Sequence, residues 1–178
     1  MTGFLRFVGI LNAAIWLGAA IFFTLGIAPA IFSGEMQTLL GRDYYPYFSG
    51  AIAQVLIARY FKLELICAIV ALLHFMAEWL YLGKSAQKLW LGLVIGLFSL
   101  GIFGGFWLQP RLKELHTVRY AASTPRETRD AARQSFRTLH GTAQVINLLM
   151  LCGLGVYFWH VANPPDPTRF VSTAKFRS

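Results

Sequence analysis

The stretch 125–162 constrains this chain more than any other part of it. Read as one helix it is about 57 Å long at ~1.5 Å per residue, well beyond the ~30 Å of a bilayer's hydrocarbon core. Its second half, 145–162, is almost wholly apolar and aromatic, as a membrane span requires. Arg133, Arg137, His140, Gln144 and Asn147 recur at alternating steps of four and three, so they share one helix face. Hydrocarbon offers such side chains no hydrogen bonds, so a polar stripe that runs into a span predicts a polar partner on a neighbouring helix.

Composition supports the membrane. The 178 residues are 56% hydrophobic and only 13% charged, where soluble domains are nearer ~25% charged. That length suits about four spans of ~20 residues. The apolar runs place them at 4–32, 63–83, 88–109 and 140–162, with a hairpin at 110–139 and a basic tail at 164–178. The expected fold is therefore all-α: an integral membrane four-helix bundle, a single domain, whose third and fourth helices extend beyond the bilayer. The first apolar run is too long for a signal-peptide core and is read as a mature span. Pro29 near its end predicts a kink or a stop. The segment 33–49 reads as a loop, with Tyr44, Tyr45, Tyr47 and Phe48 suited to the headgroup zone. Ser123 and Thr124 ahead of Pro125 read as the hydroxyl cap of the last helix.

The net charge of +8 gathers at helix ends. This makes the bilayer and its anionic headgroups the expected partners, and not nucleic acid. Lys and Arg favour the side of loops one and three, which leans that side towards the cytoplasm. Cys67 and Cys152 both lie within apolar runs, so no disulfide framework is indicated.

In the second span Cys67, Ala71, His74 and Glu78 form a second stripe, extended by Glu64. If helices two and four are level at their far ends, Glu64 comes level with Ala143. It is then expected near His140, Gln144 and Arg137, salt-bridged to the arginine and hydrogen-bonded to His140. Deeper in, His74 is expected to meet Asn12 and Cys152 mid-membrane with Glu78 a turn away. The residues expected to work in the membrane are thus Asn12, Glu64, His74, Glu78, Arg137, His140, Gln144 and Asn147. Three readings stay open for them: packing only, a proton or ion relay, and a copper or zinc site from His74, Cys152 and Glu78. Haem b fits less well. His74 and His140 fall about 20 Å apart on this register, so a bis-histidine haem would need a partner subunit or another axial ligand. The pairs Gly92/Gly96 and Gly101/Gly105 on helix three predict close helix packing. No nucleophile elbow, phosphate loop, dinucleotide fingerprint or CxxC is present, so no soluble enzyme class is indicated.

The motifs Trp16-Leu17-Gly18, Ala28-Pro29, Phe32, Tyr47-Phe48, Gln109-Pro110-Arg111 and Phe136-Arg137-Thr138-Leu139-His140-Gly141 together resemble the transmembrane protein 205-like family. Its members are small four-helix membrane proteins, whose bacterial members mostly carry a domain of unknown function. The family is distantly similar to copper-resistance D-type membrane domains and to the haem-associated protoporphyrinogen oxidase of bacteria. The resemblance implies a multi-pass protein of the bacterial inner membrane, metal handling, and His140 as a family-like residue. Those relatives place a histidine early in helix one, where this chain has Asn12. The function classes expected are a binder or conductor of a metal ion, proton or small solute, and an accessory subunit of a membrane complex or homo-oligomer. A haem-associated membrane oxidoreductase is the third.

Overall fold

The computed structural model describes residues 2–82 and 88–163. Among them every regular element is helical: α1 (Thr2–Ile21), a π-helical segment (Phe22–Ile27), α2 (Ala28–Ile31), α3 (Gly34–Leu40), α4 (Tyr45–Leu82), α5 (Lys88–Ile102), a second π-helical segment (Phe103–Leu108), α6 (Gln109–Tyr120) and α7 (Arg126–Ala162). The link between the second and third expected spans and the tail 164–178 lie outside the described residues. Three helical stretches are long and apolar enough to cross a membrane: Gly3–Ile31, Lys88–Tyr120 and Arg126–Ala162.

The rods pack antiparallel, and specific pairs fix their register. Leu5 lies opposite His74 and Asn12 opposite Cys67, which sets α1 against α4. Glu64 faces Gly101 and Phe61 faces Gly104, which sets α4 against the α5 rod; Gly153 on Leu97 and Gly101 on Met150 set that rod against α7. Trp16 meets Tyr157, and Thr24 meets Asn147, so α1 also lies against α7. The core is built from Ala13, Trp16 and Ala20 of α1, Cys67, Ala68 and Ala71 of α4, Val94 and Leu97 of α5, and Met150, Leu154 and Tyr157 of α7. Small residues of α1 and α4 bring those two backbones together around the Trp16 ring. Most large apolar side chains elsewhere point outward, among them Phe7, Leu25, Trp79, Phe106, Val145 and Trp159. That surface suits lipid and not water.

Both π segments end where a proline begins the next helix, at Pro29 and Pro110. A proline has no N–H to give the carbonyl four residues back and its ring crowds that carbonyl. A widened turn just ahead of each proline lets the rod continue without a sharp kink. Helix one accordingly runs on through Pro29 as far as Ile31.

Several expectations change here. The second long helix begins at Tyr45, not near residue 63, and runs for 38 residues. The supposed loop 33–49 holds the short helix α3, capped by Ser33, whose hydroxyl accepts from Met36 N–H at 3.2 Å. The start of α7 makes no side-chain cap bond, so Ser123 and Thr124 do not serve as expected. Gly104 and Gly105 of the second π segment sit against Phe61, whereas a Cβ added at Gly92 or Gly96 of α5 would meet nothing within 4 Å.

Candidate functional site

The two π segments frame the most polar part of the interior. Phe23 in the first stacks on Tyr60 of α4 at 4.7 Å. Its neighbour Thr24 accepts a hydrogen bond from the Asn147 amide at 2.9 Å. The second segment lends Gly104 and Leu108 to the wall of a cavity of about 60 Å³. Tyr60, Phe61, Glu64, Ala143, Asn147 and Met150 line it with them. At Gly104 the close approach is required, because a Cβ there would stand 2.5 Å from the Phe61 ring.

Glu64 is the chemical centre of this cavity. It is only 3% exposed. Its Oε1 accepts from the Tyr60 hydroxyl at 3.0 Å, one turn back on the same helix. Its Oε2 has no hydrogen-bond partner and points towards Gly101 at the α5 wall. The Trp16 indole stands beside the carboxylate without reaching hydrogen-bond geometry, so Nε1 is left unpartnered as well. No lysine, arginine or histidine lies in the cavity wall, and Glu64 forms no ion pair among the described residues. In a core this dry such a carboxyl is costly as a bare anion.

The stripe on α7 is split by the structure. Arg133, Arg137, His140 and Gln144 are all exposed, and only Asn147 turns inward. His140 stacks on Phe136 of its own helix at 5.8 Å and not on Glu64. The expected Glu64–Arg137 salt bridge and His140 hydrogen bond do not form, for reasons of both depth and phase. Glu64 opposite Gly101, and Gly101 opposite Met150, put Glu64 level with Met150, two turns beyond the expected level of Ala143. Arg137 and His140 are thus left nearer the hairpin.

The deeper cluster also comes apart. His74 Nε2 meets the Leu5 carbonyl at 2.9 Å, and its ring lies so close to Gly9 that a Cβ there would stand 2.6 Å away. Asn12 donates to the Cys67 carbonyl at 2.9 Å, two turns from His74. Cys152 is exposed on α7. The structure therefore does not bring His74, Glu78 and Cys152 together, and no group of three His, Cys, Asp or Glu stands ready for a metal among the described residues. Glu78 lies within electrostatic reach of the Tyr157 hydroxyl, with Asn12 beside that same hydroxyl. The Tyr157 oxygen has no hydrogen-bond partner.

Sequence reasoning missed Tyr60, Thr24, Trp16 and Tyr157 as neighbours of the site. The Tyr60–Glu64 spacing of four was the signal for the first. For Thr24 the signal was Pro29, which marks the widened turn that carries it. Trp16 and Tyr157 look in sequence like ordinary interface aromatics.

A second buried polar position lies on the charged part of the third rod, beyond its apolar run. His116 of α6 is 6% exposed, stacked on Tyr47 at 5.6 Å and near Tyr120 and Phe136. Burial, reinforced by the Arg119 guanidinium, holds His116 below the usual imidazole range, with the Tyr47 backbone pulling weakly the other way. Its Nε2 faces Gly50 without a partner.

No curated protein and no solved structure matches the chain. Residues 11–121 match a family described as a domain of unknown function (DUF4149). That match runs from the middle of α1 to the end of α6, including Glu64, Tyr60 and both π segments, and the chain belongs to this family.

Proposed function

We propose that the chain is a four-helix integral membrane protein, multi-pass in a bacterial inner membrane, that holds and exchanges a proton or a small hard cation at Glu64. The observation that carries this reading is a carboxyl 3% exposed, without a cationic neighbour, facing a cavity. Such a group is stable in a low-dielectric core as its neutral acid or with a bound cation. The oxygens at hand, from Glu64, Tyr60 and Asn147, suit a proton or a hard ion and not copper or haem iron. Membrane insertion is supported by the three apolar helices and by α4, held between α1 and α5 at a length of about 57 Å. The motifs that resemble the transmembrane protein 205-like family support the same layout. Metal handling, which that resemblance implies, finds support only as hard-ion binding.

The test is infrared difference spectroscopy of the protein in lipid, wild type against Glu64→Gln. A carbonyl band of a protonated carboxyl at neutral pH, absent in the variant, supports the neutral acid. If the band is missing and appears only when sodium, potassium and divalent ions are withdrawn, the occupant is a cation. An ionised carboxylate under every condition, indifferent to ions, would sink the reading. An accessory-subunit role is favoured by one feature, the exposed row Arg133, Arg137 and His140. Capture of one stoichiometric membrane partner, lost on Arg133→Glu with Arg137→Glu, would favour it over the first.

A further inference from the structure

Resting on the reading of Glu64 as an exchanging group, we infer that the protein conducts protons across the bilayer along the inner face of α4. The juxtaposition that points to this is a line of buried hydrogen-bonding atoms without partners. Five side-chain atoms are in that condition among the described residues: His116 Nε2, Gln54 Oε1, Glu64 Oε2, Trp16 Nε1 and Tyr157 Oη. Buried polar groups are almost always satisfied, so each such atom calls for an account. A random scatter would need five accounts, whereas Gln54 and Glu64 share α4, and His116, Trp16 and Tyr157 reach towards that helix from α6, α1 and α7.

Gly50, Gln54, Phe61, Glu64, Ala71 and Glu78 fall at steps of three, four and seven, on one face of α4. His116 Nε2 abuts Gly50 at the hairpin end. Gln54 follows a turn later, buried. Tyr60 and Glu64 come next, joined by their hydrogen bond, with Trp16 beside the carboxyl. Trp16 is packed edge-on to Tyr157 at 6.2 Å. Asn12 lies beside the Tyr157 hydroxyl, and Glu78 is within electrostatic reach of it. From Gly50 to Glu78 is about 42 Å of helix, comparable with a whole bilayer including its headgroups at ~40–45 Å. The helices around Glu64 present no charge to it: α1 gives Trp16, the α5 rod gives Gly101, and α7 gives Asn147 and Met150.

The step balances with water as the only co-reactant. Glu64 Oε2 takes a proton from a hydronium reached through water and the Gln54 side, leaving neutral water. It then yields that proton towards Tyr157 and Glu78, passed between hydrogen-bonded waters, and returns to the anion. Each cycle moves one positive charge, so sustained flux needs a countercurrent of another ion. Bridging water is required in two gaps: between Gln54 and Tyr60, about 9 Å along the helix, and from Glu64 to the level of Glu78, about 21 Å.

The experiment uses the full chain in liposomes with an enclosed pH dye, a potassium gradient and valinomycin to supply the countercurrent. Proton entry well above that of empty vesicles is expected. Glu64→Gln should bring it to the empty-vesicle leak. Tyr157→Phe and Gln54→Leu should each lower it several-fold, and Ser99→Ala on the exposed face of α5 should leave it unchanged. Both path variants remove a buried polar atom without a partner, so their melting temperatures should hold; should one fail to fold, the other still decides. Flux equal to empty vesicles, or flux indifferent to Gln54→Leu and Tyr157→Phe, overturns the path. The infrared band of Glu64 in the same vesicles separates the two claims. Band present without flux leaves the exchanging site and removes the path, and band absent without flux removes both.

Discussion

His74 shows how a single residue can look like a relay or a metal ligand in sequence and act as a clasp in the fold. Its Nε2 is tied to the Leu5 carbonyl while its ring fills the room that Gly9 leaves free. A methyl at position 9 pushes that ring off its partner. Gly9→Ala should therefore cost about 1–3 kcal/mol, the range for overpacking a close contact. A falling melting temperature in detergent, recovered in part by Gly9→Ala with His74→Ala, checks this. Asn147 acts in the same way across α1 and α7. Removing its bond to Thr24 should cost about 0.5–2 kcal/mol, the range seen for hydrogen bonds between membrane helices. A double-mutant cycle of Asn147→Leu with Thr24→Val should return that coupling. His116 carries the pH dependence. Held neutral in its aromatic corner, it is fully accommodated above the ordinary imidazole value of ~6.5. As pH falls through that value, the unfolded chain takes up a proton that the folded corner refuses, and stability is lost. Hydrogen exchange at the start of α4 and in α6 should quicken between neutral and mildly acid pH, and His116→Gln should abolish the change.

At the scale of elements, the widened turns decide which faces meet. A π segment holds more backbone per turn than an α-helix, so it rotates everything beyond it. Deleting one residue from Phe103–Leu108 would return that stretch to α geometry and leave α6 in phase, whereas inserting one residue into α5 ahead of it would swing α6 by about 100° relative to the rest of α5. Leu112 and His116 would leave their burial, and the hairpin should lose protection from protease while the apolar core survives. This rotation also explains what could be read in advance. Long helices and the inward pull of Glu64 follow from apolar run lengths and from the rarity of carboxyls within them. The facing partners did not follow. Depth arithmetic that assumed level helix ends placed Glu64 two turns from its true level, and no periodicity argument yields phase across a π turn. The row Arg133, Arg137, His140 and Gln144 misled because an exposed stripe has the same helical spacing as a buried one. Cys152 failed as a ligand for the plainer reason that it lies on the outer face of its helix.

At the scale of the whole molecule, the outside is greasier than the inside is. Large apolar residues such as Phe22, Leu25, Trp107, Leu148 and Leu149 are exposed, while the interior keeps Asn12, Ser49, Gln54, Glu64 and His116. In water that arrangement aggregates; in a bilayer it is the stable one. Substituting the Glu64 carboxyl by its neutral isostere should leave the global melting temperature unchanged or slightly raised, since no ion pair is broken and a desolvated group is removed. A marked fall on Glu64→Gln would mean that the carboxylate is held as an anion by a bound cation. The two measurements, melting and infrared, then read the same group by independent means.

Pro29 and Pro110 bear on motion as well as shape. A widened turn in a helix migrates when each successive N–H is handed to a new carbonyl, like a wrinkle pushed along a carpet. Proline has no N–H to hand on, so neither wrinkle travels past it. Through their partners on α4, Phe22–Ile27 and Phe103–Leu108 fall at nearly one height. The molecule thus carries a fixed crease, with the hairpin stiff on one side and the packed apolar rods stiff on the other. Any rocking of one half on the other opens and shuts along that line, where Tyr60, Phe61 and Gly104 meet.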